Sequence, residues 1–274
     1  MSRLLRANIL RLRKNKCFWG SFIFMVIAGA YLPFMNYTDM NQTGFPSHLE
    51  DSFFTGCVFA AIILSVFCSL FFGTEYSDGT VRNKIMVGHK RTDIYLANLI
   101  TSMLAGFVLC LAFFLAHLCV GLPLFGQFET DLKIILLFTI IIFVLIFAFS
   151  AFFTMIAMMS SNKAVTAVIC TLSIFLLIIV GTYLNARLNE PKNFSSVYQT
   201  EEGFYESDVP NPNYLEGTER EVYQFFYDFI PGGQLIQCTT MTAENPQLLM
   251  VYSLIIFAVS TSLGLSVFRQ KDIK

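Results

Sequence analysis

Six stretches of this chain contain no Lys, Arg, Asp or Glu and are each long enough to cross a bilayer as a helix. They are Cys17–Thr38, Ser52–Thr74, Ile94–Phe128, Ile134–Asn162, Ala164–Ala186 and Asn245–Phe268. About 20 helical residues cover the ~30 Å of hydrocarbon. Inside lipid every backbone N–H and C=O must find a partner within the chain, so such runs become helices. The expected fold class is therefore an all-α membrane protein with six transmembrane helices. Composition agrees: 14% of the 274 residues are charged, against about a quarter in soluble domains. Ile94–Phe128 and Ile134–Asn162 exceed the minimum, which predicts tilt or projection into the interface.

Lys and Arg are segregated, and this sets the expected orientation. Fourteen of the 18 fall in segments 1–16, 75–93, 159–163 and 269–274, while Lys133, Arg187, Lys192 and Arg220 fall on the opposite side. Both termini and the 73–93 segment are then cytoplasmic. Residues 1–274 read as one six-span domain, with an amphipathic helix at the inner surface (1–16), a cytoplasmic polar segment (73–93) and an extracellular loop domain (183–246).

Along the chain, Leu5, Ile9 and Leu12 recur at helical spacing among arginines, the pattern of a helix lying on the membrane surface; a plain basic flank is the simpler alternative. Ala28-Gly-Ala30 resembles a cleavage site, but the uncharged run continues to Thr38, so an uncleaved span is expected. Asn36, Asn41 and Asn193 head glycosylation sequons. His117 is the one histidine within a span, and a backbone carbonyl is its expected partner. Met159–Lys163 is short enough to join the fourth and fifth spans as an antiparallel hairpin. Seven cysteines include no CxxC pair, and only Cys238 reads as clearly outside. The 183–246 segment carries ten acids against three bases, with a turn-forming stretch Ser207–Tyr214. It ends in two apolar pieces split at Pro231, Gly232 and Gly233. Each piece is too short to span, which predicts a re-entrant pair of half-helices before the last span, or else a surface helix followed by a loop.

The polar island Gly73–Asp93 is the longest in the first two-thirds of the chain. It reads as a short helix with Asp78 as N-cap and Gly88 as stop. Val81, Ile85 and Met86 give it one apolar edge, and Thr92 reads as the next N-cap. So short a helix has no core of its own and needs the membrane surface or another protein.

Chemistry of its own is not written into the chain. It contains neither a P-loop nor an H-E-x-x-H motif. His48, His89 and His117 fall at different sides or depths, which argues against a metal site. No carboxylate pair lies within the spans to relay protons, and no basic patch interleaved with aromatics suggests nucleic-acid binding. These readings predict a non-enzyme.

The island carries a resemblance. Glu75-Tyr-Ser-Asp-Gly-Thr80-Val-Arg82 just after the second span, the basic helix Asn83–Arg91, the run Phe229–Leu235 and the tail Phe268–Asp272 are similar to permease subunits of ABC transporters of the second, export type. The resemblance covers essentially the whole chain; one departure is Asn98, where family members often place Lys. It implies two permease halves, either two copies of this chain or this chain and a related permease. Each would dock on a cytoplasmic ABC ATPase that binds ATP and Mg²⁺, with no cofactor in this chain. It further implies that Glu75, Gly79, Thr80, Val81, Arg82, Ile85 and Met86 form the coupling segment. The expected function is export of a peptide antibiotic, lipid-like compound or drug across a bacterial plasma membrane. A non-transporting immunity or sensor protein that binds a peptide through its outer loop is the alternative.

Overall fold

A computed structural model describes residues 1–200 and 203–271. Glu201 and Glu202 of the acidic loop, and the last three residues of the basic tail, lie outside the described residues. Six helices are long and apolar enough to cross a membrane. They are α2 (Lys16–Thr43), α4 (Gly56–Ser77, preceded by the one-turn α3, Glu50–Phe53), α6 (Arg91–Phe125), α7 (Leu132–Met159), α8 (Lys163–Leu188) and α11 (Pro246–Gln270). Four shorter helices complete the set: α1 (Ser2–Lys14), α5 (Thr80–Met86), α9 (Gly217–Phe229) and α10 (Pro231–Thr240).

The six expected spans are all present, but several ends move. The first runs to Thr43, where Gly44 in the left-handed conformation (φ 74°) stops it. Asn36 and Asn41 therefore stand on a helix rather than in a loop, and the Asn36 amide donates to Ser52 Oγ at 3.1 Å. His117 is fully buried and bonds the same Ser52 hydroxyl through Nε2 at 3.0 Å, not a backbone carbonyl.

Helix α4 is the axis of the bundle. Two-thirds of its most apolar stretch is buried (67%), against 22% for α2, α8 and α11. Its Cys57, Ala61, Leu64, Phe67 and Phe71, with Phe54 just before it, lead into the main core, joined by Phe113 and Leu109 of α6 and Ile142, Leu145 and Phe149 of α7. Asn162 caps α8 through its side chain, so the tight turn after α7 is as expected. The two helices nevertheless splay: α7 packs chiefly on α11, and α8 on α4 and α10. A short link fixes direction, and side-chain fit chooses the neighbour.

The segment 183–246 is tied into the helices at both of its ends. Helix α8 runs on to Leu188, and α10 is built into the bundle. Arg220 donates to the Leu188 carbonyl (3.1 Å) and Tyr227 to Asn185 Oδ1 (2.8 Å), so α9 starts at the C-terminal end of α8 and runs back along it. The chain reverses at Ile230, whose ψ of 130° ends α9. There the backbone meets Leu177, 11 residues and so ~16 Å back along α8. Helix α10 then returns to Cys57, at the start of α4, where Thr239 Oγ1 lies 3.5 Å from its sulfur.

The break is at Ile230 rather than at the glycines. Pro231 opens α10, where no intrahelical donor is needed. Gly232 and Gly233 lie inside the first turn for want of space: a Cβ on Gly232 would come within 1.7 Å of the Leu177 carbonyl oxygen. Gln234 and Gln237 donate to the carbonyls of Tyr227, Asp228 and Phe229, satisfying the exposed end of α9. Cys238, expected outside, is fully buried in the main core.

One element was not expected. Strands β1 (Asn193–Thr200) and β2 (Gly203–Pro210) pair antiparallel with Tyr198 opposite Tyr205. Ser207–Pro210 thus belong to a strand, and the turn-forming stretch shrinks to the residues after it. The local concentration of aromatic and β-branched residues favours pairing over a loop.

Candidate functional site

The polar island folds at the end of the bundle where the basic segments gather. Helix α4 ends at Ser77, and Asp78 is its C-terminal cap, donating its N–H to the Thr74 carbonyl. Asp78 is therefore not the N-cap of the next helix. The reversal that follows needs a left-handed residue, and Gly79 supplies it (φ 65°, ψ 11°). Helix α5 then runs for two turns. Gly88, at φ 93°, closes it as expected, and the N–H groups of Gly88 and His89 satisfy the Ile85 and Lys84 carbonyls. Helix α6 begins at Arg91 with Lys90 as its cap, leaving Thr92 within the first turn.

The apolar edge of α5 faces inward. Val81 is 1% exposed and packs with Leu4, Ile94, Tyr95, Ala97 and Phe268, with Ile85 partly buried against them. Only Met86 (66% exposed) shares the outer surface, beside Val87 (78%) and Arg82. Val81, Ile85 and Met86 are thus not one face offered to a partner. A two-turn helix is too short to hold itself, so its best apolar residues anchor it to α1 and α6.

Glu75, in the last turn of α4, has no exposed side-chain surface. Its Oε1 accepts from the Arg11 guanidinium of α1 and from Lys84 Nζ of α5 at 2.6 Å. Its Oε2 accepts from Asn98 Nδ2 of α6 at 3.1 Å. Asn8 of α1 donates to Asn98 Oδ1 at 2.7 Å and accepts from Lys84 at 3.3 Å. Arg11 also donates to the Phe71 carbonyl and lies 4.3 Å over the Phe71 ring. One carboxylate thereby joins four helices, and each of its oxygens is occupied. Asn98 suits this place because two cations already share the carboxylate. An amide donates to Glu75 and accepts from Asn8 without adding a third positive charge.

A second knot ties in the end of α11. Arg91 donates to the carbonyls of Phe268 (3.2 Å) and Arg269 (2.8 Å), at the negative end of that helix. Tyr76 and Lys271 both donate to the Met158 carbonyl of α7, and Lys271 Nζ lies 4.2 Å over the Tyr76 ring. Burial pulls the Lys271 ammonium down to about 8. Beside these knots a groove of about 720 Å³ separates α1 from the α4–α5 turn, lined by Arg11, Lys14, Glu75, Asp78 and Thr80.

Of the residues singled out in the island, Glu75 and Val81 lie inside and Ile85 is half-buried. Gly79 and Thr80 form the turn, and Arg82 and Met86 face out. Asn8, Arg11 and Asn98 complete the site without having been singled out for it; the signal available was a polar residue on the apolar stripe of α1. Pro231, Gly232 and Gly233 belong to the α9–α10 reversal elsewhere in the bundle. Among the described residues no three His, Cys, Asp or Glu are grouped to hold a metal. Contacts therefore run without a gap from α5 to α1, α4 and α6 at Glu75, and from α4 and α6 to α7 and α11 at Tyr76 and Arg91.

A search of the curated proteins found no match. A family model described as "ABC-2 family transporter protein" matches residues 4–181, which is more than half of the chain.

Proposed function

We propose a function from one premise: the chain belongs to the ABC-2 family of transporter proteins. It is a multi-pass membrane permease subunit. In our reading it is the membrane half of an exporter that draws on ATP hydrolysed by separate cytoplasmic ABC ATPase subunits. ATP and Mg²⁺ would sit on those subunits and not on this chain. The basic end is cytoplasmic by the distribution of Lys and Arg, and α9–α10 enter from the outer side as a re-entrant hairpin. Two permeases pair, either two copies or this chain and a related one, in a bacterial plasma membrane. Its substrates in this reading are peptide antibiotics or drugs.

The observation that carries this reading is the anchoring of α5 to α1, α4 and α6 through buried contacts, while Arg82, Met86 and Val87 are left outside. Those three side chains form the docking edge: an apolar pair to enter a cleft and a guanidinium to steer the approach. Closure of the ATPase moves α5, and the Glu75 linkage passes the movement to α4 at the centre.

The test is co-purification with the ATPase and assay of its activity. Arg82→Glu with Met86→Asp should leave expression and span insertion intact and reduce ATPase association at least about tenfold, as loss of two central interface contacts does. Undiminished association of this double variant would sink the proposed docking edge.

A further inference from the structure

The α9–α11 seam holds two cavities of opposite character, end to end. The first is a groove of about 540 Å³ at the N-terminal end of α11, lined among others by Glu221, Asp228, Glu244, Phe225 and Tyr252. Three carboxylates face it against one cation, Arg220, and that guanidinium is engaged with the Leu188 carbonyl. Asp228 Oδ1 accepts from Gln224 (2.9 Å) and Gln237 (3.0 Å), which fixes its direction. Burial, with Glu244 nearby adding to it, lifts the Asp228 carboxyl above the usual range despite those bonds, as expected of a site short of positive charge.

Three aromatic rings close the inner end of this groove. Phe225 and Phe229 are stacked at 5.8 Å, and Tyr252 meets both edge-on at 6.1 and 5.5 Å. Beyond them, one helical turn further along α11, lies a second cavity of about 310 Å³. Phe229, Pro231, Ile256 and Val259 line it together with Met155 of α7 and Leu177 of α8; Ser260 is its one polar side chain. Phe229 belongs to the ring cluster and also lines this second space.

Each half alone is unselective. An acidic groove takes any cation, and an apolar cavity, open along Ile255, Val259 and Leu263, takes any hydrocarbon. Joined through aromatic rings, they select a molecule that carries both. The rings add to this selection, because the face of an aromatic attracts an organic cation. Phospholipids carry a phosphate beside their tails, and carboxylates repel it. We propose that the α9–α11 seam binds a cationic amphiphile, with its positive head among Glu221, Asp228 and Glu244 and its apolar tail in the cavity behind Phe229. As a substrate class this rests on the export reading; as a binding site it does not.

The experiment uses the full chain in nanodiscs of zwitterionic lipid. Three photoactivatable probes share one diazirine-bearing alkyl tail and differ in the head: trimethylammonium, hydroxyl or sulfate. Labelled peptides are mapped by mass spectrometry. The ammonium probe should label residues 255–263 and Met155 about tenfold more than the other two, the order that charge and ring contacts together supply. Asp228→Asn with Glu244→Gln should cut the preference among heads to the part that Glu221 and the rings supply, and Glu244→Gln alone, on an exposed loop side chain, should reduce it less. Val259→Trp should fill the cavity and lower labelling by all three. Equal labelling by the three heads in the unaltered protein overturns the proposal, as does labelling that ignores Val259→Trp. Stimulation of the partner ATPase by the ammonium probe is measured separately. If binding holds and stimulation is absent, the site stands and its role in export falls.

Discussion

At the scale of single residues, the protein depends on Glu75. Replacing it by Gln keeps the shape and removes the charge, leaving Arg11 and Lys84 to face an amide in a closed space. Losing one partner of a buried ion pair costs roughly 3 kcal/mol or more, and the partial exposure of Arg11 (37%) puts this case at the lower end. Thermal unfolding in detergent should show the loss, and combining Glu75→Gln with Arg11→Gln should recover part of it. Lys271 gives a pH signature. Its folded value is about 8 against 10.5 for the free group. Below pH 8 both states carry the proton, and the penalty for burying the charge is complete. Between pH 8 and 10.5 the folded state sheds its proton first, so stability should rise with pH; above 10.5 the penalty is gone. Lys271→Met should flatten that rise in melting temperature. The sequence shows Glu75 as an acid just after a span among many basic residues, but not which of them it pairs with. Arg11 is 64 residues away, and only tertiary packing selects it. Asp78 misleads because its capping propensity is real, while α4 continues far enough to claim it.

At the scale of elements, α5 exists because its neighbours hold it and because Gly79 lets the chain turn. No atom lies within 4 Å of where a Cβ on Gly79 would stand, so substitution there tests conformation alone. Gly79→Val should cost more than about 1–2 kcal/mol, since a β-branched residue resists the left-handed region, and Gly79→Asn should cost less. Stability and partner-stimulated ATPase activity of the two variants should fall in that order; equal effects would show that the turn tolerates any residue. Much of this element was legible: its place, its length and Gly88 as its stop. The direction of its apolar side was not, because a stripe on one helix does not say whether a partner or the chain's own spans will cover it. The α9–α10 reversal was legible as two short apolar pieces with a break. The roles of Gly232 and Gly233 were not, since close approach to Leu177 depends on a helix some fifty residues earlier.

At the scale of the whole molecule, the six spans were readable because lipid allows few alternatives to a helix. Which helix stands beside which was not readable from loop length, as the splaying of α7 and α8 shows. The β1–β2 hairpin went unseen because turn-forming residues at one end masked the strand pattern before them. The orientation assigned from Lys and Arg has a direct check. In a chain whose own cysteines are replaced, a single Cys at Asn193 should react with a membrane-impermeant maleimide on intact cells. A single Cys at Ser161, in the turn between α7 and α8, should react only after the membrane is opened. The reverse pattern would invert the molecule and remove α5 from the cytoplasm.

The grip of Arg91 on the last carbonyls of α11 has a mechanical consequence. A 25-residue helix is about 37 Å long, so a tilt of roughly 5° about its held end swings the far end by about 3 Å. That far end carries Leu248 and Tyr252, which line the acidic groove. Helix α11 is thus held at Arg91 at one end and borders the acidic groove at the other, so the width of that groove is geometrically tied to the tilt of a helix fixed about 30 Å away.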